Sequence, residues 1–271
     1  MTPMEKIVSA VFDTAERLGI RLMLVGAEAR NFWLEHFDVR ANVRTTHDVD
    51  LACLVAAWEG YDRLLSTLTN EGGLLPDPRG IRHRLWLADE ISVDIVPFGG
   101  VEDECGEFAW PPKFERTMNV LGFTAAFDDA LETTIGVARL RIIRPCWLAF
   151  LKLNAYTDNQ ERTKDLKDLY FLTDNYLDLI DADRLLYAPN APDADILSTD
   201  DFDVRIVGAK LIARHCRRSE IKTATALQEH IRTFNAQGGL TDTFAIQNGI
   251  STDLARSILD ALLEGVHSPL S

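Results

Sequence analysis

The chain has 271 residues, with 28 Lys plus Arg against 42 Asp plus Glu, so its formal net charge is −14. A hydrophobic share of 46% builds a real core and excludes a wholly disordered chain. The acidity excludes a surface that coats nucleic acid indiscriminately, because such a surface needs clustered Lys and Arg. The longest uninterrupted apolar run, Leu51 to Trp58, has eight residues, against the ~18 of a membrane span, so no membrane partner is expected. Cys53, Cys105, Cys146 and Cys216 lie far apart with no CxxC pair. They read as buried thiols of a cytoplasmic protein.

The opening MTPMEKIVSA reads as a capped helix and not as a signal peptide. Thr2 caps it, Pro3 suits its first position, Glu5 completes a capping box and Gly19 ends it. Ile20 to Val25 is a short strand that runs into Gly26-Ala27 and a helix through Phe37. A strand follows at His47 to Leu54, a helix at Glu59 to Leu68, and a turn-rich stretch at 72–80. His83 to Ala88 and Ile91 to Phe98 form an antiparallel hairpin across Asp89-Glu90, and Ala138 to Arg144 is another strand. Beyond Pro145 the pattern turns helical, at Cys146–Tyr156, Gln160–Tyr176, Val204–Arg217, Ile221–Phe234 and Thr252–Val266. Residues 187–200, YAPNAPDADILSTD, read as a loop or linker. The expected architecture is an α/β (α+β) domain over 1–145, a small mixed sheet flanked by helices, and an all-helical domain over 146–271.

The chemistry concentrates in THDVDL at 46–51. Residues two apart on a strand share a face, so Asp48 and Asp50 present adjacent carboxylates. Such a pair repels itself unless a cation lies between the two or one stays protonated, and hard oxygen donors suit Mg²⁺ or Mn²⁺. The plain alternative is an exposed acidic strand end. Asp94, inside the apolar run SVDIVPF, either joins the pair at a metal or pairs with an arginine such as Arg82 or Arg84. Gly26-Ala27, where a strand enters a helix, presents backbone N–H groups fit for a phosphate, or simply permits close packing. Arg44 lies four residues before Asp48, near enough to approach a phosphate or to stay a solvated charge.

VGAEAR at 25–30, RTTHDVDL at 44–51, the strand aspartate Asp94, KLNA at 152–155, Arg162 and KDLKDL at 164–169 stand in a telling order. Together they resemble the DNA polymerase β-like nucleotidyltransferase superfamily, and most closely its AbiEii-type branch of bacterial toxin and phage-defence proteins. The resemblance spans about residues 20–176. It implies two Mg²⁺ ions held by Asp48, Asp50 and Asp94. It also implies a nucleotide site from Gly26, Ala27, Arg44, Thr46, Lys152, Lys164 and Asp165, with Lys152 counted among the catalytic residues. Ala27 departs from the Ser or Gly of the family, removing a hydroxyl donor while leaving the backbone donors. On the residues alone, Arg162 with Asp165 and Lys164 with Asp168 read as surface pairs of one helix, worth ~0.2–0.5 kcal/mol each.

The implied reaction is transfer of a nucleoside monophosphate from an NTP to an acceptor hydroxyl. By the same resemblance the acceptor is a tRNA 3′ end and a cognate antitoxin is a partner. Lys210, Arg214, Arg217 and Arg218 on one helical face, and RGIRHR at 79–84, offer basic surface for RNA. That stripe equally answers the acidic stretch 178–203. The rival readings are a small-molecule nucleotidyltransferase acting on aminoglycosides or lincosamides, and a silent nucleotide-binding or protein-interaction module.

Overall fold

A computed structural model describes residues 3–41, 48–87, 91–135, 138–198 and 202–264. The expected Thr2 cap and the Asp89-Glu90 turn lie outside the described residues. The chain divides into two compact units, Met1–Phe32 with Arg40–Arg144, and Trp33–Val39 with Pro145–Ser271.

In chain order the residues up to Arg144 carry α1 (Pro3–Arg17), β1 (Arg21–Val25), α2 (Gly26–His36), β2 (Asp48–Val55), α3 (Trp58–Asn70), β3 (Leu75–Pro76), β4 (Arg84–Leu87), β5 (Ile91–Gly99), β6 (Glu107–Ala109), β7 (Thr117–Asn119), α4 (Phe123–Asp128), β8 (Leu131–Ile135) and β9 (Ala138–Ile142), all in the first unit except the end of α2 from Trp33. Among the described residues, seven strands form one mixed sheet in the order β3-β4-β5-β2-β1-β9-β8, and β6 and β7 pair by themselves. β2 is central, parallel to β5 and antiparallel to β1. A central strand covered on both faces has to be apolar, and from Leu51 to Cys53 every residue of β2 is buried. Only its first turn of pleat, Asp48 and Asp50, is polar, so the carboxylates sit where the strand enters the sheet.

The expected hairpin is present as β4 and β5, in antiparallel register from Arg84↔Asp94 to Leu87↔Ile91. Tyr61 of α3 donates its hydroxyl to the Ile95 carbonyl at 2.9 Å, a buried polar tie between helix and sheet. Trp58, Tyr61, Phe108 and Trp110 pack ring on ring, with Phe108–Trp110 centroids 4.9 Å apart.

Besides the end of α2 and short helical turns, the second unit carries α5 (Pro145–Asp158), α6 (Thr163–Asn175), α7 (Val204–Ser219), α8 (Ile221–Ala236), α9 (Leu240–Asn248) and α10 (Thr252–Glu264). α6 and α7 approach so closely that a Cβ on Gly208 would meet the Thr173 carbonyl at 2.0 Å. Asp203 caps α7 by accepting from the Arg205 amide, and Glu220 caps α8.

Two sequence expectations change. Over its described part, 187–198, the expected loop or linker carries a short helical turn at Ala194–Ser198, and Asp193 within it is fully buried. Cys53, Cys146 and Cys216 are buried, but Cys105 is exposed. Its amide donates to the Asp103 carboxylate at 2.9 Å, closing a turn that holds residue 105 outward. Among the described residues no helix is long and apolar enough to cross a membrane.

Candidate functional site

The parallel register of β2 and β5 sets Asp48 beside Ser92 and Asp50 beside Asp94. Paired residues of neighbouring strands point the same way and lie about 4.8 Å apart, so three carboxylates share one face of the sheet. Arg84 enters the same face from β4, in register with Asp94. Its Nε and Nη2 donate to the two Asp94 oxygens at 2.6 Å each. This forked contact raises the Arg84 pKa further above its already high value. The Asp94 side chain retains 14% exposure. Ser92 Oγ donates to Asp48 Oδ1.

The glycine turn belongs to this place. Val25, the residue before it, is the β-sheet partner of Asp50. Gly26 has φ +67°, and a Cβ there would lie 2.0 Å from Asp50 Oδ2 and 2.7 Å from Asp50 Cβ. Only glycine combines that backbone with that closeness. Ala27 is half-buried just behind, in the first turn of α2. Glu28, one residue further, has its pKa raised, first by burial and to a lesser extent by the charge of Asp50. Sequence reasoning missed Glu28 and Ser92. Ser92 was open to the same alternation argument as Asp94, two residues on.

Arg44 and Thr46 lie outside the described residues. Among the described residues no group of three or more His, Cys, Asp or Glu is placed to hold a metal ion. Both Asp94 oxygens are engaged by Arg84, which is the arginine pairing that an aspartate in an apolar strand demands. Asp48 and Asp50 still offer same-face hard oxygens, the donor chemistry of a Mg²⁺ or Mn²⁺ site.

The remaining expected residues lie in the second unit. Lys152 of α5 places Nζ 3.0 Å from Asp165 and 2.8 Å from Asp168, both on α6. Arg162 Nε donates to the other Asp165 oxygen at 2.6 Å. Asp165 is fully buried, so this double pairing is what makes its charge tolerable. The expected Lys164–Asp168 pair does not form. Asp168 takes Lys152 instead, and Lys164 is exposed.

Two of the four α7 cations are also committed to carboxylates. Arg214 and Arg218 bind Asp193, Arg214 binds Asp195 as well, and Arg217 is buried. Residues 193 and 195 lie in the acidic stretch that the sequence offered as the alternative answer to this stripe.

No family model and no curated protein matches the chain. Among solved structures, it is similar to the antibiotic-resistance factor ANT(2'')-Ia, with 13% identity over 86% of this chain and 94% of that one, at a TM-score of 0.40. It is also similar to an antigenic nucleotidyltransferase-like protein from Paracoccidioides brasiliensis, with 14% identity over 84% of this chain and 94% of that one, at a TM-score of 0.36.

Proposed function

We propose that the chain is a nucleotidyltransferase that moves a nucleoside monophosphate from an NTP to an acceptor hydroxyl, with release of pyrophosphate. The observation that supports this reading is the register that puts Asp48, Asp50 and Asp94 on one sheet face beside the Gly26 turn. Asp48 and Asp50 are the residues that would hold a divalent cation. Such a cation supplies charge neutralisation and acidifies a bound hydroxyl. The turn amides of Gly26 and Ala27, at the start of α2, are donors for phosphate oxygens. Asp94, once released by Arg84, accepts the proton of the attacking hydroxyl at a carboxylate oxygen. The new bond joins the acceptor oxygen to the α-phosphorus, and the bond from that phosphorus to the bridging oxygen breaks.

By the family resemblance, Arg44, Thr46, Lys152, Lys164 and Asp165 also serve the nucleotide. Within its own unit Lys152 neutralises Asp165 and Asp168, so any nucleotide contact comes in addition to that duty. The same resemblance makes a tRNA 3′ end the acceptor and an antitoxin protein a partner. A second reading, transfer to a cationic small molecule, draws on the acidic charge of −14. The test is to incubate purified protein and Mg²⁺ with each labelled NTP and either total tRNA or an antibiotic panel. Asp48→Asn is expected to abolish the labelled product. Undiminished label transfer by that variant would remove Asp48 from the reaction.

A further inference from the structure

The edge of a sheet offers backbone N–H and C=O groups to any other chain, so natural edges are usually guarded. Among the described residues the two edges of the seven-stranded sheet are β3 and β8. β3 is guarded twice: it has only two residues, and one of them is Pro76, which has no N–H to donate. β8 is five residues long and reads LETTI, with no proline, glycine or lysine.

The other guards are missing at β8 as well. Its one charge, Glu132, is taken up by Arg141, its register partner on β9. Arg141 is itself held in place. Its Nη1 donates to the Phe127 carbonyl at 2.8 Å, and its guanidinium lies 4.4 Å from the centre of the Phe127 ring. Nor does α1 cover the strand. A groove of about 480 Å³ opens there, lined by Phe12 and Ala15 of α1 and by Thr133 and Leu140 of the β8–β9 hairpin. Glu132 and Thr134 are exposed.

The sequence of β8 is complementary to itself. Antiparallel pairing centred on Thr133 sets Thr133 against Thr133, Glu132 against Thr134 and Leu131 against Ile135. No like charges then face each other directly, and threonine pairs are favourable across strands. The neighbouring charges favour the same arrangement. Thr134 is in register with Arg139 of β9, on the sheet face that carries Glu132 and Arg141. Arg139 is exposed and pairs with no carboxylate among the described residues. In the joined sheet one row reads Arg141, Glu132, then Thr134 and Arg139 of the second copy. Glu132 and that Arg139 stand two strand spacings apart, about 10 Å, with only a short threonine between them. Two long side chains close that distance, so each copy supplies an unpaired arginine to the other's glutamate. A foreign strand would meet the same backbone groups without that reciprocal charge.

We propose that β8 is a self-association edge, at which two copies of the chain join antiparallel about a two-fold axis at Thr133. So short a strand pair buries less than the ~1,200 Å² of a standard interface, so the dimer is reversible and concentration-dependent. The edge stands apart from the transfer reading and does not require it.

The experiment is sedimentation velocity of the full chain, from micromolar to hundreds of micromolar. The parent moves from monomer to dimer across that range. Arg139→Glu raises the dimer dissociation constant at least about tenfold, because each joined edge then sets glutamate against glutamate twice. Its far-UV circular dichroism stays that of the parent, since the side chain is exposed. Cross-linking reads the register. With the exposed Cys105 replaced by serine, Thr133→Cys meets its own copy on the axis and forms a disulfide-linked dimer under diamide. Thr134→Cys, which faces Glu132 of the second copy, links at least about tenfold more slowly.

A parent that stays monomeric at every concentration leaves the edge to a foreign strand and overturns the proposal. Association of Arg139→Glu equal to that of the parent overturns it too, by placing the contact on another surface. So does a Thr134→Cys protein that links as fast as Thr133→Cys, because the strands would then not meet at Thr133.

Discussion

Asp193, in the second unit, accepts from Arg218 at 2.8 and 3.0 Å, from Arg214 at 3.2 Å and from His215 at 3.0 Å, and it has no exposure. His215 is fixed in turn by the Tyr176 hydroxyl, 2.8 Å from its Nδ1. Asp94, in the first unit, has one arginine in a forked contact, stays partly exposed and shares its sheet face with Asp48 and Asp50. Both are aspartates bound by arginine, and the difference lies in what surrounds them. A carboxylate enclosed by donors has every lone pair used and can only hold structure. A carboxylate with one detachable partner and like charges beside it can exchange that partner for another cation. Side-chain pairing alone does not separate structure from function; enclosure does.

The largest expected effect breaks this contrast at its structural end. Asp193→Ala removes four hydrogen bonds and leaves Arg214, Arg218 and His215 facing one another. A loss of about 3–5 kcal/mol is expected, as when one partner of a buried ion network is deleted. Urea unfolding followed by circular dichroism measures it. A loss below about 1 kcal/mol, the value of an exposed ion pair, would demote the network to surface decoration.

Asp94→Asn is expected to reverse the ranking. The amide keeps one acceptor for Arg84, so the cost in stability is no more than the ~1.5–3 kcal/mol of one hydrogen bond to a charged group. Label transfer from NTP is nevertheless expected to vanish, since asparagine cannot take up the hydroxyl proton. The same urea titration, run beside the transfer assay, checks both halves. An Asp94→Asn protein as unstable as Asp193→Ala yet fully active would invert the roles assigned to the two aspartates.

The sequence made the alternation visible: Asp48 and Asp50 two apart, Asp94 in an apolar strand, and the hairpin that carries it. It did not show which arginine reaches Asp94, because Arg84 meets it across strands ten residues away. Lys152 was matched to a family motif, but its carboxylates lie on the next helix, out of reach of an i,i+4 argument. Likewise the sequence left Arg214 and Arg218 open between RNA and the acidic stretch 178–203, and their partner is Asp193, more than twenty positions earlier. β6 and β7, at three residues each, are too short for a period of two to register. α9 escaped for a different reason. It buries Leu240, Phe244 and Ala245 but turns Ile246 outward at 77% exposure, which blurs the helical period.

The smallest expected effect is electrostatic and distinguishes the two centres through pH. Burial alone would push the Asp193 pKa up, but hydrogen bonds from His215 and Arg218 outweigh it and hold the carboxyl well below the ordinary range. A depressed folded-state pKa contributes stability above the unfolded value, and that contribution is lost as pH falls through the folded value. Asp195 and Asp203 are depressed as well, held down first by Arg214 and Arg205 respectively, so the second unit has several acid-sensitive contacts. Asp193→Asn isolates one of them, because an amide cannot titrate. The stability gap between the parent and Asp193→Asn is expected to be widest near neutral pH. It should narrow as pH falls below the ordinary carboxylate value of about 3.9, where the unfolded parent takes up a proton on Asp193 that the folded protein does not. Urea midpoints of both proteins across that range measure the gap. A gap independent of pH would mean that Asp193 holds its helix by shape and not by charge, and the enclosure that sets it apart from Asp94 would then be one of packing.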